Sequence, residues 1–233
     1  MNILISGGAG GIGSTIALQF IEKGFDVYSI DVNEKDLGPH FINLVGDVTS
    51  PASLYAVKKK IADVSFSHII TLAGRALDEW RPLCEIPVKT IHDSIDLNLI
   101  GHLNVIRIFL DQLTERTGGS VVIISSINAF GGFGLPYYSA AKAGLIGYMK
   151  TVKDEFLKMN LRINVVALGT VVTDATKQEP KDFDQLLQYT RHNRFVTKEE
   201  VALLVYSLCE DSQENGEVKV LDEGQRDIRH ELH

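Results

Sequence analysis

Seven short apolar runs rich in β-branched residues punctuate the chain: Asn2–Ser6, Asp26–Ile30, Phe41–Val45, His68–Leu72, Val121–Ser125, Arg162–Ala167 and Val218–Leu221. Their hydrophobicity is near-continuous, the pattern of strands buried on both faces. Between them the apolar period lengthens to that of helices, over roughly 12–23, 51–63, 88–114, 137–159 and 198–209. Ser50 offers a cap and Pro51 a first-turn residue for the second of these. Strands alternating with helices predict an α/β fold, a doubly wound parallel sheet of about seven strands with right-handed crossovers and helices on both faces. No linker, repeat or low-complexity tract interrupts the pattern, so one domain over residues 1–233 is expected. Ligands of such sheets bind outside the carboxyl ends of the strands. The irregular stretch 169–197 follows one such end and reads as a lid.

Composition narrows the function. With 45% hydrophobic and 23% charged residues the chain is an ordinary globule with a sizeable core. Its formal charge is −7, and its longest basic run is Lys58–Lys60 on a polar helix face, which argues against nucleic acid as a partner. The chain starts directly in a strand-like run and has no long apolar segment, so no membrane partner and a cytoplasmic location are expected. Cys84 and Cys209 lack metal-type spacing and the seven histidines make no HExxH pattern, so no metal is expected and the thiols should be reduced.

The first strand runs into Gly7-Gly8-Ala9-Gly10-Gly11-Ile12-Gly13 and then a helix. Glycines let the backbone approach a pyrophosphate closely, and the helix N-terminus offers free N–H groups and a positive dipole end. Strand, turn and helix in that order predict dinucleotide binding. Asp31 ends the next strand 18 residues past Gly13, near the offset of the acid that accepts from ribose hydroxyls. A carboxylate there repels a 2′-phosphate, and no cation follows until Lys35, so NAD is expected over NADP. Further on, Tyr138 and Lys142 stand four residues apart, stacked on one helix face. A cation beside a phenol lowers its pKa from about 10 towards working pH, making the pair a candidate general acid/base.

Gly7, Gly11 and Gly13 form GxxxGxG after Ser6, and with Tyr138-x-x-x-Lys142 the chain resembles the short-chain dehydrogenase/reductase family over nearly its whole length. The resemblance implies a Rossmann-type fold and a set of site residues. Ser6, Gly7, Gly11, Ile12 and Gly13 would hold the pyrophosphate side, and Asp47-Val48 would contact the adenine. Ala73-Gly74 resembles the end of the family's NNAG motif, and Asn98 its helix asparagine. Gly169, Val171 and Thr173 lie in a stretch similar to the PGxxxT segment at the nicotinamide end. Arg194 to Ala202 resembles the start of the last large helix. Four departures stand out: Thr71-Leu72 replaces two asparagines, Leu168 a proline, Thr197-Lys198 stands where a proline is usual, and Asp222-Glu223-Gly224 replaces a DGG ending. For the catalytic serine, Ser125 fits the usual interval of 13 to Tyr138, while alignment of the motif favours Ser126, which is preferred.

The family's mechanism, carried to these positions, gives Tyr138 the alcohol proton, Lys142 the tuning of Tyr138 and the nicotinamide ribose, Ser126 the substrate oxygen, and Asn98 a relay water. Tyr137 is the decoy, since its i+4 partner is Ala141. The implied reaction interconverts a secondary alcohol and a ketone with NAD. Phe130 and Phe133 in the apolar segment from Ile127 to Pro136, with Trp80, suggest an uncharged or partly apolar small-molecule substrate. A 3-oxoacyl reductase working on an acidic carrier protein is disfavoured by Asp31 and the net negative charge. Two other readings are a non-catalytic NAD sensor or scaffold, disfavoured by the intact tetrad, and an NAD-dependent epimerase or dehydratase, disfavoured by length. Small residues Ala140, Ala143, Gly144 and Gly147 on one helix suit a homodimer or homotetramer, or equally core packing.

Overall fold

The computed structural model describes residues 1–78, 82–113, 118–131, 135–173 and 194–222. Seven strands form one parallel sheet in the order β3-β2-β1-β4-β5-β6-β7. They are β1 (Asn2–Ser6), β2 (Asp26–Asp31), β3 (Phe41–Val45), β4 (His68–Thr71), β5 (Ser120–Ser126), β6 (Arg162–Leu168) and β7 (Val218–Leu221). Each predicted strand is present within a residue or so at either end. The order reverses between β1 and β4, where successive crossovers go to opposite faces and leave a crevice at the carboxyl ends.

The near-continuous apolar strands feed two cores. Leu4, Ile69, Val121 and Ile123 face one side, packed with Leu54 and Val57 of α2 (Pro51–Lys60), Val105 and Phe109 of α4 (Gly101–Phe109), and Leu145 and Met149 of α5 (Pro136–Lys158). Ile3, Ile5, Val122 and Ile124 face the other, packed with Ile16 and Phe20 of α1 (Gly11–Glu22) and Val201 and Val205 of α6 (Lys198–Glu210). The two-residue period of a strand therefore serves both layers at once.

End signals act as expected. Ser50 accepts from Ser53 N ahead of Pro51. Thr197, where the family motif carries a proline, makes a capping box with Glu200 instead. The helix expected over 88–114 is not continuous. It comprises α3 (Val88–Ile95), a π-helical turn (Asp96–Ile100), α4 and a short 3₁₀ turn (Leu110–Gln112). Asn98 sits inside the π turn, a feature often found at functional sites. Among the described residues no helix is long and apolar enough to cross a membrane. Trp80, Phe133, Glu223, Gly224 and most of the expected lid lie outside the described residues.

Candidate active site

A cleft of about 1040 Å³ opens above the carboxyl ends of β1, β4, β5 and β6. At one end lies the glycine turn. Gly7 has φ +85°, and a Cβ there would stand 2.8 Å from Ala73 N, so the turn seats directly on the loop after β4. A Cβ at Gly13 would run into the Gly7 carbonyl oxygen, so α1 begins hard against the turn. Gly11 differs: a Cβ there would meet the side chains of Thr173 and Lys198 at no more than ordinary contact distance. The N-terminus of α1 carries no side-chain cap and no acidic residue in its first turn. Its orphan N–H groups at Ile12 and Gly13 border the cleft and remain available to an anion. These features fit a dinucleotide pyrophosphate.

Asp31 borders the cleft at the end of β2, and its Oδ2 accepts from Ala9 N at 3.1 Å. The carboxylate thus fixes the glycine turn while it borders the cleft. Lys35 does not stay remote: its Nζ donates to Ala9 O at 3.1 Å and lines the same end. Asp47 and Val48 line the far wall, with Asp47 Oδ1 accepting from Thr49 N at 2.9 Å. Ala73, Gly74, Gly169, Val171 and Thr173 complete the predicted wall. Val171 pairs with Val196, tying together the base of the stretch expected to form the lid.

Two predicted site residues lie beneath the cleft instead of lining it. Ser6 is 1% exposed, and its hydroxyl accepts from Leu72 N at 3.3 Å, joining β1 to the loop after β4. Asn98 is fully buried and its amide is fully committed. Its Nδ2 donates to Ser94 O and Arg75 O at 3.0 and 2.9 Å, while Oδ1 accepts from Arg75 N at 3.0 Å. The side chain closes the π turn onto the loop after β4, and Gly74 lacks the Cβ that would press on Asn98 Oδ1.

The two serines separate clearly. Ser125 is 2% exposed and its hydroxyl donates to Lys142 O at 2.9 Å, stitching β5 to α5. The Ser126 hydroxyl caps the turn that follows, accepting from Asn128 N at 3.2 Å and donating to Asn128 Oδ1 at 3.1 Å, and it lines the cleft with Tyr138, whose phenol it favours in the ionised form. Ser126 is therefore the serine that faces the tyrosine.

Tyr138 and Lys142 share one face of α5, with Lys142 Nζ 5.7 Å from the centre of the Tyr138 ring. The expectation that the cation depresses the phenol pKa is not met. Burial raises the Tyr138 pKa above its usual value, and the Ser126 hydroxyl only partly opposes this. Burial also lowers Lys142 to about 7, so near neutral pH the lysine carries only part of its charge. Sequence spacing gave the pair its neighbourhood but not its desolvation.

Two further side chains shape the site. Asp78 is 7% exposed, and its Oδ2 accepts from Tyr137 N at 2.6 Å and Tyr138 N at 3.0 Å. It caps α5 from the loop after β4, where the local N-cap Leu135 has φ +54° and makes no side-chain cap. Nothing in the local sequence pairs residue 78 with residue 138. His102, 1% exposed, has Nε2 3.4 Å from Lys142 Nζ and Nδ1 2.9 Å from Thr71 Oγ1. Its signal was present, because residue 102 lies one turn beyond Asn98 on the same helical face.

The short chain dehydrogenase family profile matches residues 1–184. Carbonyl reductase family member 4 of Xenopus laevis is 31% identical over 230 residues, covering 94% of this chain and 95% of that protein. A 3-oxoacyl-(acyl-carrier-protein) reductase of Thermotoga maritima is 29% identical over 240 residues, covering 95% and 96%. The crystal structure of a short chain dehydrogenase/reductase family oxidoreductase from Burkholderia thailandensis superposes with a TM-score of 0.86 at 29% identity, covering 96% of this chain and 92% of that one. Cleft, glycine turn and sequence likeness thus converge: the chain belongs to the short-chain dehydrogenase family and is an oxidoreductase acting on CH–OH groups.

Proposed function

We propose that this chain interconverts a secondary alcohol and a ketone with NAD, in a single domain carrying both cofactor and substrate sites. The carrying observation is that Ser126 and Tyr138 meet beside buried Lys142 in the cleft that begins at the glycine turn. NAD, when bound, accepts or returns a hydride at its nicotinamide ring. The N-terminus of α1 and Gly7, Gly11, Ile12 and Gly13 would hold its pyrophosphate. Asp31 would accept from the adenine-side ribose, with Asp47 and Val48 at the base. Gly169, Val171 and Thr173 would border the nicotinamide end.

The chain's own chemistry is proton handling. Tyr138 takes the hydroxyl proton of the alcohol, or gives it to the ketone oxygen. Ser126 donates to that oxygen, where charge develops. The Lys142 ammonium supports the phenolate, and a polar ligand against it would offset the desolvation that depresses its charge. Asn98 acts through structure, holding the π turn and the loop after β4 under the cleft. Asp78 fixes the first turn of α5, and with it the start of the Tyr138 side chain.

Asp31 favours NAD, because its carboxylate both faces the ribose position and anchors Ala9 N. Lys35 at Ala9 O is the feature that works for NADP. A free small-molecule substrate is preferred to one on an acidic carrier protein, since the chain itself is strongly acidic. On α5, Gly144 packs on Leu99, while Ala140, Ala143 and Gly147 are exposed and suit a second copy in a homodimer or homotetramer. With no apolar spanning helix among the described residues, a cytoplasmic enzyme is the matching setting.

The test is a panel of alcohols and ketones followed at the NADH absorbance band, with NAD and NADP compared at equal concentration. Tyr138→Phe is expected to lower turnover about a hundredfold or more while NADH binding, read by fluorescence, survives. Substantial residual turnover would remove Tyr138 from the acid/base role, and a clear NADP preference would refute the argument from Asp31. NADH binding without turnover on any substrate would favour a sensor or scaffold.

A further inference from the structure

Lys142 is 3% exposed, and among the described residues no carboxylate pairs with it. Its Nζ has two acceptors instead: Ile124 O at 3.0 Å and His102 Nε2 at 3.4 Å. A buried ammonium is costly unless acceptors replace its water. The imidazole is thus half of what holds this cation in place.

Which half of the ring accepts follows from its other side. Nδ1 lies 2.9 Å from Thr71 Oγ1, a hydroxyl able to accept a ring proton. An ammonium can only donate, so Nε2 presents its lone pair to Lys142 and the imidazole proton falls on Nδ1, towards Thr71. Thr71 stands where the family motif has an asparagine, so the partner of His102 is itself a departure from that motif.

We propose that His102 is a positioning residue for Lys142: neutral, protonated at Nδ1 towards β4, it accepts from the ammonium at Nε2 and holds that proton beneath Tyr138. The inference rests on the reading of Tyr138 and Lys142 as the proton-transfer pair. Burial first, and then the Lys142 charge, push the His102 pKa well below its usual value, which keeps the ring an acceptor. The groups facing it are Lys142 from α5, with Tyr138 beyond, Thr71 and Ala73 from β4 and the loop that follows, and neutral Asn98 one turn earlier on its own helical run. Removing the acceptor leaves Lys142 with one carbonyl and depresses its pKa further.

The consequence is readable without a substrate. Lys142 is titrated by its ¹³Cε and ¹⁵Nζ chemical shifts, assigned by difference from a Lys142→Met counterpart, in three backgrounds: His102 intact, His102→Leu and His102→Gln. Leucine, of similar bulk and without an acceptor, is expected to move the Lys142 transition downward by about one pH unit. Glutamine, whose amide can donate towards Thr71 and accept from Lys142, is expected to keep it close to the parent value. A leucine curve that superimposes on the parent, or a glutamine curve that follows leucine, overturns the proposal. The unaltered protein supplies a check independent of either variant folding. Its ¹⁵N imidazole signals should assign His102 as the neutral Nδ1–H tautomer, and an Nε2–H or cationic ring overturns the proposal. Failure of the substrate panel leaves these readouts intact, so the two readings fall separately.

Discussion

His68 and His102 are both buried, both pushed below the ordinary histidine pKa, and both tied to β4, yet they sit at its opposite ends. His68 is the first residue of β4, and Thr71, the partner of His102, is its last. At the floor, His68 Nδ1 lies 2.9 Å from Ser120 Oγ and Nε2 3.2 Å from Glu210 Oε1. Serine, histidine and carboxylate in sequence resemble hydrolytic machinery, but Ser120 is fully buried and borders no part of the cleft. Its neighbours are structural. Arg162 donates to Leu208 O, Cys209 O and Glu214 O at 2.9, 2.6 and 3.3 Å, closing the carboxyl end of α6. Burial pushes the Cys209 thiol up to about 12, leaving it unreactive. The contrast teaches that a set of residue types does not make a site. At the floor each polar group ends on another fixed group, whereas at the cleft the chain ends on Tyr138, which faces an opening.

The floor should break first as stability. Arg162→Met leaves three carbonyls without their charged donor, and a loss of about 3–5 kcal/mol is expected from chemical denaturation. The Tyr138 titration should stay where it is in whatever fraction remains folded. If the titration moves, the two ends of β4 are coupled and the comparison fails.

A smaller effect is expected from acid. Burial first, then the Arg162 charge, lower His68 from 6.5 to about 4. Between those values the unfolded chain binds the proton more tightly, so folding stability falls as pH falls through this window. It is fully present above about 6.5. The exposed side of Glu210 attracts a cationic ring, but its carboxylate is 45% exposed and too well solvated to reverse the sign. The window is worth on the order of 3 kcal/mol at its acid end. His68→Gln should flatten the slope of stability against pH between 4 and 6.5. An unchanged slope would assign acid sensitivity to His102 or to other groups.

Much of this architecture was legible because its causes are local. Buried parallel strands need apolar runs, and α2 starts where Ser50 and Pro51 say it should. The glycine turn was equally plain, since a positive φ at Gly7 and the close seat of Gly13 each demand the residue found there. What remained hidden depends on atoms brought from far along the chain. Asp78 caps a helix 58 residues beyond itself in place of a local cap, Lys35 folds back to Ala9, and Asn98 closes a π turn that periodicity reads as unbroken helix. The pKa of Tyr138 has the same cause: spacing reveals the cation, but only packing reveals how little water it keeps.

β5 carries the finest version of the comparison, since Ser120 begins it at the floor and Ser125 and Ser126 end it at the cleft. All three serines are buried, at 0%, 2% and 7% exposure, so their settings differ little in area. They differ in what they meet: a neutral imidazole, a helix carbonyl, and a titrating phenol. Ser120→Ala and Ser125→Ala should each cost about 1 kcal/mol of stability and leave the Tyr138 transition unmoved. Ser126→Ala should cost no more, since its hydroxyl caps only a short turn, yet it should raise the Tyr138 transition by removing the donor that opposes burial there. Thermal melts and phenolate titrations of the three variants measure both quantities on the same samples. A Ser125 variant that moves the tyrosine while the Ser126 variant does not would reverse the assignment of the two serines.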